Sequence, residues 1–174
     1  MATKASKPVV RVGIIGQGRS GYSIHAAHFS QDRKYRIVAV CELLEDRRQN
    51  AELEFGCDTY EDYRDMLKRD DLDLVVNSTP SHLHVPVTLD ILKAGINVVC
   101  EKPLARRARD VDRMIEAAAK SGKVFTIYQQ SRYAPYFRQV QKIIASGVLG
   151  RIVMIKLAFN GFSRRWDWQT LQQY

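Results

Sequence analysis

Directly after an apolar run ending at Ile15 comes Gly16-Gln17-Gly18-Arg19-Ser20-Gly21, and a helical stretch to about Phe29 follows it. Glycines at these three positions permit a tight turn, a close approach of backbone to a pyrophosphate, and close packing of a helix on the preceding strand. The free N–H groups at the helix start, at the positive end of its dipole, then face the phosphates, and Gln17, Arg19 and Ser20 belong to the same anion-binding loop. Glu42 closes the next apolar run, twenty-one residues beyond Gly21, near the spacing of about 20 expected for an acid that binds the adenosine ribose. A carboxylate there accepts hydrogen bonds from ribose hydroxyls and repels a 2′-phosphate. The pattern therefore favours NAD, with NADP left open because Arg47 or Arg48 could fold back onto a phosphate. By itself a glycine loop is also what an ordinary strand-to-helix turn looks like; the flanking strand and helix and the acid after the second strand set this one apart.

Two more polar segments follow apolar runs: Asn77-Ser78-Thr79-Pro80-Ser81-His82-Leu83-His84 and Cys100-Glu101-Lys102-Pro103-Leu104. Both fall at the carboxyl ends of expected parallel strands, where ligands sit in open α/β sheets. His82 and His84 have no nearby carboxylate or cysteine to complete a ligand set, so no metal is expected. His25 and His28, three apart on the first helix, read as packing or surface residues. Taken alone, Lys102-Pro103 reads as a surface turn.

The elements that must position these residues follow from periodicity. Five short, nearly continuous β-branched runs, Val9 to Ile15, Ile37 to Cys41, Leu72 to Asn77, Ile96 to Cys100 and Val124 to Tyr128, have the pattern of strands covered on both faces. Between them lie helical spacings such as Val85, Leu89, Ile91 and Leu92, or Val111, Met114, Ile115, Ala118 and Ala119. Alternation of this kind predicts an α/β fold with a doubly wound parallel sheet. After Tyr128 the alternation stops. A helix from about Tyr136 to Ser146 leads to another apolar run, Ile152 to Phe159, read as the first strand of a second, incomplete α/β domain. The expected organisation is a solvated tail at residues 1–7, a dinucleotide-binding domain at 8–130, and a linker helix with one strand at 131–174.

Composition narrows the classes. With 174 residues, 45% hydrophobic and 26% charged, the chain has the make-up of a soluble globular protein. No stretch approaches the eighteen apolar residues of a membrane span, and the first ten lack the apolar core of a secretory signal. The net charge of +8 is dispersed, and its densest runs, Arg47-Arg48 and Arg106 to Arg109, sit beside Glu42, Glu45, Asp46, Asp110 and Asp112. That mixing describes a solvated face, so neither a nucleic acid nor a membrane is an expected partner. Cys41, Cys57 and Cys100 form no CxxC pair, which fits a reduced, cytoplasmic protein without a disulfide framework.

Taken together, the GxGxxG loop, Glu42, Thr79-Pro80 with His84, and Glu101-Lys102-Pro103 resemble the Gfo/Idh/MocA oxidoreductases, the glucose-fructose oxidoreductase and inositol dehydrogenase family. Arg132, Pro135 and Ala145 to Gly150 are similar to the family as well, and the resemblance runs from Val9 onward. It implies an NAD(P)-binding Rossmann domain in which Thr79, Pro80 and His84 border the cofactor and Glu101 fixes its nicotinamide ribose. It also implies that Lys102 is the catalytic residue, hydrogen-bonding the reacting oxygen of a sugar, polyol or related alcohol as hydride leaves or arrives. Members of the family are commonly homo-oligomers and carry a second domain with a catalytic histidine in a D-x-x-x-H or H-x-x-D element. No such element follows Trp168, shortly after Trp166-Asp167, so the resemblance implies a truncated chain that is inactive alone. The competing readings are a non-catalytic dinucleotide-binding regulatory module and a methyltransferase with a similar glycine loop.

Overall fold

The computed structural model describes residues 8–161; the expected tail at residues 1–7 and the Trp166 to Thr170 stretch lie outside them. By internal contacts the chain divides into a unit ending at Gln129 and a second beginning at Gln130.

In the first unit six strands form one parallel sheet: β1 Val10–Ile15, β2 Tyr35–Cys41, β3 Asp58–Tyr60, β4 Leu74–Asn77, β5 Asn97–Cys100 and β6 Phe125–Ile127. Their spatial order is β3-β2-β1-β4-β5-β6. Every pairing is parallel, so each connection must cross over the sheet. The crossovers carry Gly21–Ala26, wound as a π-helix, running into α1 Ala27–Gln31, and then α2 Glu45–Phe55, α3 Tyr63–Met66, α4 His84–Lys93 and α5 Ala108–Ser121. This is the expected doubly wound fold, with the order of strand addition reversing between β1 and β4.

Side-chain alternation sorts the sheet into two cores. Ile15, Cys41, Val75 and Val98 face a cluster completed by Met66, Val87, Ile91 and Leu92. Val12, Ile14, Val40 and Val76 face another with Ala26, Phe29 and Ala51. Because strand side chains point to opposite faces with period two, a one-residue irregularity exchanges the faces. The register of β1 against β2 jumps from Val12↔Ile37 to Gly13↔Ala39. The extra residue, Val38, is why Ile37 belongs to one core and Ala39 to the other. Gly122 ends α5 in the left-handed conformation, φ 66°, a position where glycine carries no Cβ penalty.

Two elements differ from the sequence-based expectation. The edge strand β3 was not anticipated, because Asp58-Thr59-Tyr60 has no apolar run to mark it. The Ile152 to Phe159 run, expected to be a strand, has no regular secondary structure. A strand needs a neighbour for its ladder, and none is provided among the described residues. In the second unit the expected helix forms as α6 Pro135–Ala145, with proline in its first turn. Tyr136, Phe137, Val140, Ile143 and Ile144 of that helix are exposed. No helix among the described residues is long and apolar enough to cross a membrane.

Candidate functional site

The site is assembled where the carboxyl ends of β1, β2, β4 and β5 come together. Gly16 leaves β1 with φ 92°, and a Cβ there would lie 2.8 Å from the Ser78 carbonyl oxygen. Both restrictions demand glycine. At Gly21 a Cβ would overlap the Gly16 carbonyl and come within 2.7 Å of Ser78 Oγ, so the helix can sit this close to the turn only without a side chain. Gly18 is different: no atom lies within 4 Å of where its Cβ would be. The open space beside that backbone is room for a group that approaches it. The first helical bond runs from Tyr22 N–H to Gly18 O at 2.9 Å, and amides ahead of it have no intrahelical acceptor. Gln17 is buried, yet neither its carboxamide oxygen nor its nitrogen has a hydrogen-bond partner among the described residues. Arg19 is exposed and Ser20 half-buried.

Glu42, just past β2, turns its carboxylate onto this loop. Its Oε2 accepts the Gln17 N–H at 2.8 Å, and its Oε1 accepts Leu43 N–H at 2.8 Å and Leu44 N–H at 3.3 Å. The two arginines that left NADP open are now separable. Arg48 Nη1 is tied to the carbonyls of Glu42 and Leu43, at 2.7 and 2.8 Å. Arg47 lies 3.5 Å from Glu42 Oε2 with a half-exposed side chain, so it is the guanidinium with freedom to turn.

The segment after β4 is held by a buried network. Asn77 Nδ2 donates to the His84 carbonyl and to Thr88 Oγ1, each at 3.1 Å, while its Oδ1 accepts Thr79 Oγ1–H at 2.7 Å. Ser78 Oγ donates toward the carbonyls of Ile15 and Gly16, both at 2.9 Å, stapling β4 to the glycine turn. Pro80 opens a short 3-10 turn, Ser81–Leu83, that leads into His84. That histidine is 2% exposed. Its ring nitrogens face Pro103 O at 2.7 Å and Thr79 O at 2.9 Å, joining the loop after β4 to the loop after β5.

Glu101 follows β5 and is buried. Its Oε1 meets His25 Nε2 at 2.9 Å, and its Oε2 accepts the Lys102 N–H at 3.2 Å. Burial works to raise its pKa, but the hydrogen bond and charge of His25 and the Lys102 N–H outweigh that and hold it below the ordinary glutamate value. Lys102 is exposed at the rim. Burial pushes the neighbouring thiols up, Cys41 to about 12 and Cys100 to about 11. No cluster of three metal-ligating side chains exists among the described residues.

Three residues that the arrangement depends on were given no site role from the sequence: Asn77 and Ser78, quoted only as part of a polar segment, and His25, read as a packing or surface residue. A signal for His25 was present, since it lies one turn beyond Gly21 and shares its buried face, while His28 points out. The loop fits a dinucleotide on the strength of the open cradle at Gly18 and the orphaned carboxamide of Gln17.

The profile of an oxidoreductase family with an NAD-binding Rossmann fold matches residues 10–129. Inositol 2-dehydrogenase of Salmonella typhimurium is 31% identical over 169 residues, 95% of this chain and 48% of that protein. The WlbA dehydrogenase of Bordetella pertussis, whose crystal structure contains NADH and UDP-GlcNAcA, superposes with a TM-score of 0.75 at 32% identity over 85% of this chain and 43% of its own. A 3-ketoreductase from Actinomadura kijaniata crystallised with NADP gives a TM-score of 0.77 at 28% identity, over 83% of this chain and 44% of its own. The chain thus spans about half the length of the curated relatives it matches. With the glycine loop and Glu42 together at the carboxyl ends of one parallel sheet and the family profile spanning that whole sheet, the chain belongs to the Gfo/Idh/MocA oxidoreductases, and its first unit is their NAD-binding Rossmann domain.

Proposed function

We propose that this chain holds NAD(H) across the crevice between β1 and β4 and serves hydride transfer to or from a sugar, polyol or related alcohol. The observation that carries the reading is the Glu42 carboxylate lying 2.8 Å from the Gln17 N–H. That contact supports reading Glu42 as the ribose-binding acid beside a phosphate-binding loop. In the loop Gly16-Gln17-Gly18-Arg19-Ser20-Gly21 the first two N–H groups are engaged by the Cys41 carbonyl and the Glu42 carboxylate, at 2.8 Å each. The pyrophosphate is therefore received by the backbone amides from Gly18 onward, and Glu42 accepts the adenosine ribose hydroxyls. Thr79, Pro80 and His84 wall the crevice on the β4 side. Glu101 takes the ribose on the nicotinamide side. When bound, the cofactor supplies the hydride acceptor or donor. Lys102, at the rim and next in chain to Glu101, donates a hydrogen bond to the reacting oxygen of the substrate and stabilises negative charge there. A negative carboxylate at Glu42 disfavours a 2′-phosphate, so NAD is preferred, while Arg47 leaves some capacity for NADP.

The exposed apolar residues of α6 support self-association of the whole protein as a homo-oligomer, which light scattering on the purified chain would register. Three free, buried cysteines suit a reducing compartment such as the cytoplasm. The decisive experiment titrates NADH, NADPH and S-adenosylmethionine against the chain by calorimetry. NADH should bind most tightly and NADPH more weakly; binding of S-adenosylmethionine alone would refute the assignment.

A further inference from the structure

His25 and Glu101 are 76 residues apart in the chain and form a buried pair, their side chains 4% and 6% exposed. His25 lies in the π-helical turn Gly21–Ala26, a wide winding that is uncommon and frequent at functional sites. Its ring meets Tyr128 edge-on, centroids 4.5 Å apart, and lies near the ring of Phe29 at 6.4 Å. The imidazole is therefore fixed on its flanks by aromatic packing and at its tip by the carboxylate. A pair of this kind is expensive to bury, and apolar residues of similar volume would often be at least as stable. What it provides is orientation.

A carboxylate has about four acceptor positions. Glu101 uses one on each oxygen, for His25 and for the Lys102 N–H, which leaves one on each. Two acceptors held side by side match the two donors of a ribose cis-diol. We propose that His25 is a positioning residue that fixes the Glu101 carboxylate for the nicotinamide-side ribose, and so couples the helix that grips the pyrophosphate to the other end of the same ligand. This rests on the dinucleotide reading given above.

The test separates the two ends of the ligand. NADH contains both riboses and the pyrophosphate; ADP contains the adenosine end and the pyrophosphate only. Both are titrated calorimetrically against the full chain, His25→Phe and His25→Gln. Phenylalanine keeps a ring for Tyr128 and Phe29 but removes the hydrogen bond, whereas glutamine places an amide nitrogen near the lost Nε2. His25→Phe should weaken NADH about tenfold, the worth of one charge-assisted hydrogen bond, and leave ADP unchanged, and His25→Gln should recover most of the loss. Should His25→Phe fail to fold, Glu101→Gln gives the same reading, with NADH weakened and ADP intact. Equal losses for NADH and ADP, or no loss for NADH, overturn the proposal while the nucleotide reading stands. If the unmodified chain binds neither nucleotide, that reading falls and this one with it.

Discussion

Alanine at Gly18 and alanine at Gly21 should have opposite effects, because one glycine leaves space for a ligand and the other leaves space for the protein. At Gly18 an added methyl meets no atom within 4 Å, and removing a glycine trims the freedom of the unfolded chain. Gly18→Ala should therefore melt at the same temperature or slightly higher, by an amount equivalent to about 0.5 kcal/mol. The methyl would nevertheless stand where a pyrophosphate must approach, an overlap costing about 2 kcal/mol or about thirtyfold in the Kd for NADH. At Gly21 the methyl would lie 2.7 Å from Ser78 Oγ and 2.8 Å from the Gly16 carbonyl carbon, both well inside van der Waals contact. Backbone on one side must move, and overpacking of that severity costs about 3 kcal/mol, equivalent to roughly 10 °C in Tm for a chain of this size. Thermal melting by circular dichroism and calorimetric titration with NADH read both effects on the same samples. Gly18→Ala binding NADH like the unmodified chain would show that the loop is not the pyrophosphate cradle. An unchanged Tm for Gly21→Ala would show that the helix does not depend on its close seat against the turn.

Glu42→Ala should weaken NADH about tenfold, as expected for loss of a charged hydrogen-bond acceptor, and weaken NADPH less; an unchanged NADH/NADPH ratio by titration would remove Glu42 from cofactor choice. Lys102→Met should leave the Kd for NADH intact, since the side chain is exposed at the rim, and abolish turnover in the whole enzyme; retained turnover in steady-state kinetics would remove Lys102 from the chemistry. The three thiols, pushed by burial up to about 12 at Cys41 and about 11 at Cys57 and Cys100, should resist a thiol-reactive disulfide reagent at pH 8 until the chain is denatured, and rapid labelling of the native chain would contradict their burial. Glu101 is held below its ordinary pKa, so the stability it adds is present above the unfolded value of about 4.3 and is lost as pH falls through the lower folded value. The Tm difference between the unmodified chain and Glu101→Gln should accordingly be constant near neutrality and shrink below about pH 4, and a difference that grows in acid would reverse the assigned sign.

Much of the sheet was legible because a strand covered on both faces has to be apolar at nearly every position, and five of the six strands carry such a run. The sixth, β3, sits at the edge with Asp58 exposed and Thr59 and Tyr60 half-buried, so burial never shaped its sequence. Ile152 to Phe159 shows the converse. Apolar composition records what a segment has to bury, but a strand also needs backbone partners, and composition does not reveal whether they exist. In the site, Gly16, Gly21 and Glu42 could be read because each answers a local demand: a positive φ, a close approach, a carboxylate at a strand end. Ser78 could not, because its hydroxyl acts on carbonyls 62 and 63 residues earlier. For His25 the spacing from Gly21 signals a buried position, but its role could not be read, since its partner is 76 residues away.

The distribution of buried polar groups ties these points together. Six polar or charged residues are buried in the described chain, Gln17, His25, Asn77, His84, Thr88 and Glu101, and all are joined to or follow the carboxyl ends of β1, β4 and β5. At the opposite end of the sheet the ion pair of Arg11 and Asp73 is half-exposed, with side chains 43% and 39% accessible. Exposed pairs contribute little and constrain little. Buried ones must be satisfied to be tolerated, and once satisfied they fix geometry. Five of the six find partners within the protein, linking the loop after β4 to the loop after β5 through His84 and the first helix to Glu101 through His25. The side chain left over is Gln17, whose amide donor and oxygen acceptor are both unpaired, and it lies inside the glycine loop. A fold that satisfies its other buried polar side chains and leaves this one open has one place where a hydrogen-bonding ligand gains most, and it is the place where Gly18 also leaves the backbone bare.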